Sequence, residues 1–218
     1  MLFTNTDKKE LTSAYTHLGG AIFGIIGTAL LISNSKNSTN TATTAAFMIF
    51  GISMILMYST STIYHFIDKS KEKAKRVMRK LDHIMIFVFV AGSYTPICLL
   101  ILNNSIGYKL LILVWSITLV GTVIKLCWIT APNWVSSLLY ILMGWLAVWV
   151  LSPLASKMPP GGMYWLFSGG IFYTIGGVIY GLKRPNINDT YFGFHELFHI
   201  FVLLGSLCHY IMMYLYFV

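Results

Sequence analysis

Residues 82–103 read DHIMIFVFVAGSYTPICLLILN, and this segment decides the fold. Beyond its first two residues it has no charged side chain, and a helix of about 20 mainly apolar residues crosses the hydrocarbon core of a bilayer. Six further segments are apolar over a similar length, at about 17–33, 43–67, 107–129, 134–153, 163–182 and 192–217. The sequence therefore predicts an all-α, polytopic membrane protein whose seven transmembrane helices form a single domain over residues 1–218.

The amino-acid composition agrees with a chain that lies mostly in lipid. Of the 218 residues, 56% are hydrophobic and 10% are charged, whereas about 25% of a typical soluble domain is charged. The net charge is +8, but the basic residues are concentrated in short segments between the apolar runs, where they control membrane topology. We therefore expect membrane lipids as partners and no nucleic acid, while the oligomeric state is left open.

The distribution of Lys and Arg predicts the orientation of the bundle. If the N-terminus is cytoplasmic, eleven basic residues lie in cytoplasmic segments and three in outer ones, in agreement with the positive-inside rule. The eleven are Lys8, Lys9, Lys69, Lys71, Lys73, Lys75, Arg76, Arg79, Lys80, Lys183 and Arg184. The prediction is an N-terminus in the cytoplasm and a C-terminus outside.

Ionisable side chains within the predicted spans are few, and each is a candidate functional residue because its burial in lipid is costly. Those nearest the predicted cytoplasmic face are His17, His65, Asp82, His195, Glu196 and His199. His65 closes the second span, Asp82 opens the third, and residues 195–199 lie in the first turns of the seventh. Three helices therefore bring imidazoles and a carboxylate to the same depth.

A metal site would explain this convergence. His195 and His199 are four residues apart, so both rings lie on one helix face within reach of a single ion. Three neutral imidazoles and a water form the ligand set of an open, catalytic zinc site, and His65 is the candidate third ligand. Residues 195–199 also match the H-E-x-x-H pattern, in which the glutamate is a general base. That match is weak evidence, because His209 lies about 15 Å further along the helix and cannot bind the same ion.

Asp82 and Ser61 are the candidate catalytic residues. Asp82 would accept a proton from the water that zinc activates, or it would only stabilise the N-terminal end of its helix. Ser61 lies four residues before His65, and it would hold that water or a substrate oxygen, or bond back to its own helix. Glu196, His17 and Glu10 are candidate accessory residues.

These residues resemble the hemolysin III family, the bacterial branch of the progestin and adipoQ receptor (PAQR) superfamily, which is related to the alkaline ceramidases. The resemblance rests on Ser61-x3-His65, Asp82, Gly92-Ser93-Tyr94-Thr95-Pro96 and His195-Glu196-x2-His199. It implies a seven-helix protein of the bacterial cytoplasmic membrane with its N-terminus inside. It also implies zinc bound by water and by His65, His195 and His199, with Asp82 and Ser61 beside it. The chain departs from the family pattern at Ser13, where the family has asparagine.

Three classes of function remain open at this point. The first is a zinc-dependent hydrolase that cleaves a lipid amide or ester from within the bilayer. The second is a non-enzymatic receptor or regulator of membrane lipid state, in which zinc is a structural clamp between the second and seventh helices. The third is a membrane-lytic (hemolytic) protein, which the sequence supports poorly because it has no long amphipathic lytic segment. No sequence feature identifies the substrate.

Overall fold

The computed structural model describes residues 7–35, 41–128, 130–187 and 189–218, and every regular element in these ranges is a helix. The α-helices are α1 (Lys8–Asn34), α2 (Thr41–Phe66), α3 (Glu72–Pro96), α4 (Ser105–Cys127), α5 (Asn133–Gly144), α6 (Leu151–Ala155), α7 (Pro160–Leu182) and α8 (Phe194–Tyr216). A π-helical turn at Ile97–Leu102 extends α3, and a 3-10 turn at Trp145–Val150 joins α5 to α6.

Seven helical stretches in the described residues are long and apolar enough to cross a membrane. Five of them are α1, α2, α4, α7 and α8, and the other two combine shorter elements, namely α3 with its π turn and α5 through α6. The prediction of an all-α, polytopic membrane protein with seven spanning helices is therefore confirmed. The cytoplasmic position of the N-terminus stays a prediction.

The third spanning helix is longer than its apolar segment. α3 begins at Glu72, whereas the apolar run begins at Asp82. Residues 72–81 are rich in Lys and Arg, which favour helix almost as strongly as alanine does. The helix therefore begins before the apolar run, and this N-terminal extension carries Lys75 and Arg79 over the end of the bundle.

Helix α1 is the element against which the two histidine-bearing helices pack. It contacts both α2 and α8, and α8 also packs against α7. Gly20 allows this close approach, because a Cβ there would lie 2.7 Å from the Tyr58 ring of α2 and 2.8 Å from the Leu203 side chain of α8. Small residues at such crossings let spanning helices approach closely in lipid. The first turns of α1, which include Glu10 and Ser13, are thereby placed beside the ends of α2 and α8.

Candidate metal centre

Four helix ends meet at one end of the bundle, which is named the histidine end below. They are the starts of α1, α3 and α8 and the last turn of α2. Glu10 of α1 contacts both His65 of α2 and Lys75 of α3. His65 in turn contacts His195 of α8. Side chains that are far apart in the sequence are therefore neighbours here.

Three imidazoles form the centre of this end. The nitrogens that His65, His195 and His199 offer to a metal all lie within 4.8 Å of one another. The Nε2 atoms of His65 and His195 are 3.2 Å apart. Ligand nitrogens of a tetrahedral zinc site, each about 2.0–2.1 Å from the ion, are separated by about 3.3 Å. The three imidazoles are therefore close enough together to hold one metal ion.

A carboxylate of α1 orients the His65 ring. The Nδ1 atom of His65 lies 2.9 Å from Glu10 Oε2. Because a carboxylate can only accept, the proton of this hydrogen bond is on Nδ1, and the Nε2 lone pair is free to face His195. The same oxygen of Glu10 accepts from Lys75 Nζ at 3.1 Å. A carboxylate behind a ligand imidazole fixes its tautomer and orientation in metal sites generally.

The backbone of α1 orients a second imidazole. The Nδ1 atom of His199 lies 3.3 Å from the Ser13 carbonyl oxygen and 3.4 Å from the Thr16 hydroxyl. Donation from Nδ1 to the carbonyl leaves the Nε2 lone pair of His199 available. Helix α1 therefore orients clustered rings of both α2 and α8 with their Nε2 lone pairs free, although it supplies none of the three rings itself.

This role of Glu10 gives a prediction for metal affinity. Changing Glu10 to glutamine removes the negative charge behind His65 but keeps an acceptor oxygen of similar shape. Loss of such a partner lowers metal affinity by about 10–100-fold, and we expect the lower end of that range. The measurement is zinc affinity of the purified protein in chelator-buffered solution. Glu72→Gln, which changes an exposed acid at the start of α3, is the matched control, and equal affinities of the two variants would contradict the role.

His17, a candidate accessory residue, lies flat against one of the clustered rings. The His17 and His199 rings are nearly parallel, at 6°, with centroids 3.5 Å apart. His17 is buried, and neither of its ring nitrogens has a hydrogen-bond partner in the described part of the chain. It also makes an edge contact with the Tyr58 ring. In the structure His17 therefore packs face to face against the His199 ring.

Glu196 is turned towards α1. It is 3% exposed, and its Oε1 atom accepts a hydrogen bond from the Ser13 hydroxyl at 2.7 Å. Ser13, which stands where the resembled family has asparagine, therefore joins α1 to α8 through its hydroxyl and also accepts from His199 through its carbonyl. This contact gives Glu196 a role in holding the helices together.

Asp82 lies beside the cluster, and Ser61 faces its carboxylate. Because α3 begins at Glu72, Asp82 is more than two turns inside the helix, and the alternative that it stabilises the N-terminal end of α3 is wrong. The Ser61 hydroxyl and the His65 ring are both close enough to the Asp82 carboxylate to interact with it. The structure therefore brings both candidate catalytic residues next to the imidazoles.

A cavity of about 500 Å³ connects the histidine end with the apolar interior. The three clustered imidazoles and Asp82 line it, together with Arg79 and Lys9. Further in, its walls are mainly apolar and belong to α3, the α5–α6 span and α7, for example Ile97, Val148, Leu151 and Leu166. A cavity with apolar walls and a few convergent polar groups is the usual form of a small-molecule site.

A second polar group lies deeper between the helices and was not foreseen from the sequence. The Ser206 hydroxyl contacts the hydroxyls of Tyr58 at 2.6 Å and Tyr173 at 3.0 Å. His209 packs edge-on against Tyr173, and neither of its ring nitrogens has a partner among the described residues. Serine and tyrosine are common in apolar helices, so no pattern in the sequence indicates this group.

Together, the fold and the site define a class of protein: a polytopic helical membrane protein with a cluster of histidines and a carboxylate at one end of a seven-helix bundle. A sequence profile of the family described as Haemolysin-III related matches residues 5–210. The chain belongs to this family, and through it to the PAQR superfamily.

Individual relatives agree with this assignment. The chain is 35% identical to the hemolysin-3 homolog of Bacillus subtilis (strain 168) over 201 residues, which cover 92% of this chain and 91% of the relative. It is 33% identical to hemolysin-3 of Bacillus cereus over 199 residues, with 91% and 87% coverage. The human monocyte to macrophage differentiation factor is 25% identical over 205 residues, with 93% and 82% coverage.

Proposed function

We propose that this protein is a zinc-dependent hydrolase of the bacterial cytoplasmic membrane that cleaves a lipid amide or ester. The observation that carries the proposal is the convergence of three imidazole nitrogens within 4.8 Å beside Asp82, at one end of a largely apolar cavity. Imidazole nitrogens are common ligands of zinc, and three of them leave a coordination position open.

The contacts of α1 with these rings support a zinc site rather than three histidines that are buried for unrelated reasons. Glu10 accepts a hydrogen bond from Nδ1–H of His65, and the Ser13 carbonyl accepts one from Nδ1–H of His199. The Nε2 atoms of both rings therefore remain unprotonated. Protein imidazoles that bind a metal almost always donate their other N–H in this way. Bound there, zinc would acidify a water molecule and polarise the substrate carbonyl.

The protein side chains would carry the proton. Asp82 accepts the proton that the water loses as its oxygen attacks the carbonyl carbon, and Ser61 holds the Asp82 carboxylate towards that position. Protonated Asp82 then delivers the proton to the leaving nitrogen or oxygen as the bond from carbon to that atom breaks. The products are a carboxylic acid, which loses its proton to solvent, and an amine or alcohol. Asp82 is ionised again as soon as it has delivered its proton to the leaving group.

The cavity supports a lipid-like substrate. Its polar groups are gathered at the histidine end, whereas the walls deeper in the bundle are mainly apolar. An acyl chain would lie along these walls with its carbonyl beside the imidazoles and Asp82. Because burial of apolar surface stabilises a complex by roughly 25 cal/mol per Å², the chain would contribute much of the binding energy.

The experiment that tests the proposal combines metal analysis with a lipid panel. Purified protein is expected to contain zinc and to release fatty acid from at least one amide or ester lipid. Chelation should abolish this turnover, and added zinc should restore it. Protein that holds zinc but hydrolyses nothing in a broad panel of lipid amides and esters would reject the hydrolase.

The structural-clamp hypothesis retains one specific observation in its favour. The clustered histidines belong to α2 and α8, which both contact α1 and make little direct contact with each other in the described residues. A metal ion would therefore join two helices that are otherwise connected through a third. In that case zinc removal would lower thermal stability strongly, and Asp82 would have no effect on any reaction.

A further inference from the structure

One basic residue of the stretch 68–80 differs from the others in its surroundings. Three of the seven already have partners: Lys69 pairs with Asp7, Lys75 pairs with Glu10, and Lys80 donates to the Leu126 carbonyl. Three more are exposed and do not line the cavity, namely Lys71, Lys73 and Arg76. The seventh, Arg79, is half-buried and lines the cavity. Membrane topology alone requires only that these charges lie on one side.

The Arg79 side chain makes no hydrogen bond or ion pair with another residue in the described ranges, yet it is close to Asp82, one of the two candidate catalytic residues. Its charge acts on the Asp82 carboxylate, three residues further along α3, and on the hydroxyls of Tyr64 and Tyr180. All three side chains line the same cavity as Arg79. A guanidinium that is partly removed from water and whose N–H groups have no acceptor is unfavourable, so this position suits a ligand with acceptor oxygens.

A second cation lines the same end of the cavity. Lys9 makes no side-chain hydrogen bond or ion pair with the described residues. A Cβ at Gly193 would meet its Nζ atom at 3.3 Å and Glu196 Oε2 at 3.1 Å, so the Lys9 ammonium lies near this carboxylate without forming an ion pair. The nearby acidic groups of α1 already have partners, because Asp7 pairs with Lys69, and Glu10 contacts His65 and Lys75. Arg79 and Lys9 therefore line the cavity near the Asp82 and Glu196 carboxylates, but neither cation is held in an ion pair within the described part of the chain.

We infer that Arg79, assisted by Lys9, binds a phosphate group on the head of an amphiphile whose apolar chain occupies the cavity. The inference deepens the proposed function, on which it rests for the identity of the site, and it names the substrate class as phosphate-bearing lipids. Arginine suits this task because its planar guanidinium donates two parallel hydrogen bonds to phosphate oxygens. The position of Arg79 beside Asp82 would hold the head group next to the reacting carbonyl.

Binding of a matched pair of lipids tests this inference. The ligands are a lysophosphatidic acid with one oleoyl chain and monooleoylglycerol, which has the same chain and ester but no phosphate. Their affinities are measured in detergent with zinc-loaded protein in an Asp82→Asn background, so that neither ligand is consumed. The variants are Arg79→Gln, Arg79→Lys and, as the control, Arg76→Gln, which removes the same charge from an exposed site on the same helix.

We expect Arg79→Gln to weaken binding of the phosphate lipid by about 10–100-fold, the effect of losing hydrogen bonds to a charged group, and to leave monooleoylglycerol unchanged. The affinity of Arg79→Lys for the phosphate lipid should lie between those of the parent and Arg79→Gln, since lysine keeps the charge but loses the paired donors. Equal binding by Arg79→Gln and the parent, or an equal loss in Arg76→Gln, would overturn the inference. Unchanged zinc content shows that each variant is folded.

Two further arms identify the source of the phosphate and separate this inference from the hydrolase proposal. Inorganic phosphate should not compete with the phosphate lipid at millimolar concentration; if it binds in an Arg79-dependent way and the lipid does not, the head-group assignment is wrong. The binding difference does not depend on turnover. Arg79-dependent binding without hydrolysis in the wild type would therefore reject the enzyme and keep the phosphate site.

Discussion

Asp82→Asn is expected to lower turnover of a lipid amide or ester by about 10²–10⁴-fold, the usual contribution of a positioned general acid–base group. Asparagine has nearly the same shape but cannot accept the proton of the attacking water. The Ser61 hydroxyl can still bond to the amide oxygen, so the packing of α2 against α3 should not change. Zinc content and thermal stability should stay at wild-type values, because Asp82 is not one of the clustered metal-binding groups.

Glu196→Gln is the matched control for this measurement. It changes another carboxylate at the histidine end, one that belongs to the H-E-x-x-H pattern but is hydrogen-bonded to Ser13. We expect turnover to fall only slightly, because the glutamine oxygen can still accept that bond. A loss in Glu196→Gln as large as that in Asp82→Asn would instead favour the general-base role that the pattern has in soluble metalloproteases.

The spanning helices could be predicted because their signal is local. Each span is an apolar run that can be recognised without knowledge of its neighbours. Where α1 and α3 begin could not be predicted in the same way, since Lys8 and Glu72 lie in charged segments without an apolar run. The early start of α3 has a consequence for function, because it removes the simple explanation of Asp82 as a residue at a helix end.

The clustered imidazoles could be anticipated because ionisable residues in lipid are rare and because helix direction fixes their depth. The partners behind those imidazoles could not. Whether Glu10 faces His65, or Ser13 faces His199, depends on the rotation of α1 about its own axis. That rotation is set by contacts between distant parts of the chain, such as Gly20 with Tyr58 and Leu203, for which one sequence provides no pattern.

His65→Ala should remove zinc and turnover together. It removes the clustered imidazole that belongs to α2. The two imidazoles that remain on α8 bind zinc far more weakly than three do. We expect zinc content to fall from about one ion per chain to near zero and lipid hydrolysis to fall to background. The variant should still fold, because Glu10 keeps its ion pair with Lys75 at 3.1 Å and no buried charge is left alone.

His209→Ala is the control that separates ligand loss from general damage to the bundle. It also removes a buried imidazole, in this case one on α8 that is not part of the cluster, so zinc content should be unchanged. Thermal stability of His65→Ala then distinguishes a catalytic ion from a clamp. A small fall in Tm together with complete loss of turnover supports the hydrolase, whereas loss of a structural clamp between α2 and α8 would lower Tm strongly. Retention of zinc by His65→Ala would mean that α2 supplies no ligand, and the metal centre would have to be assigned to other residues.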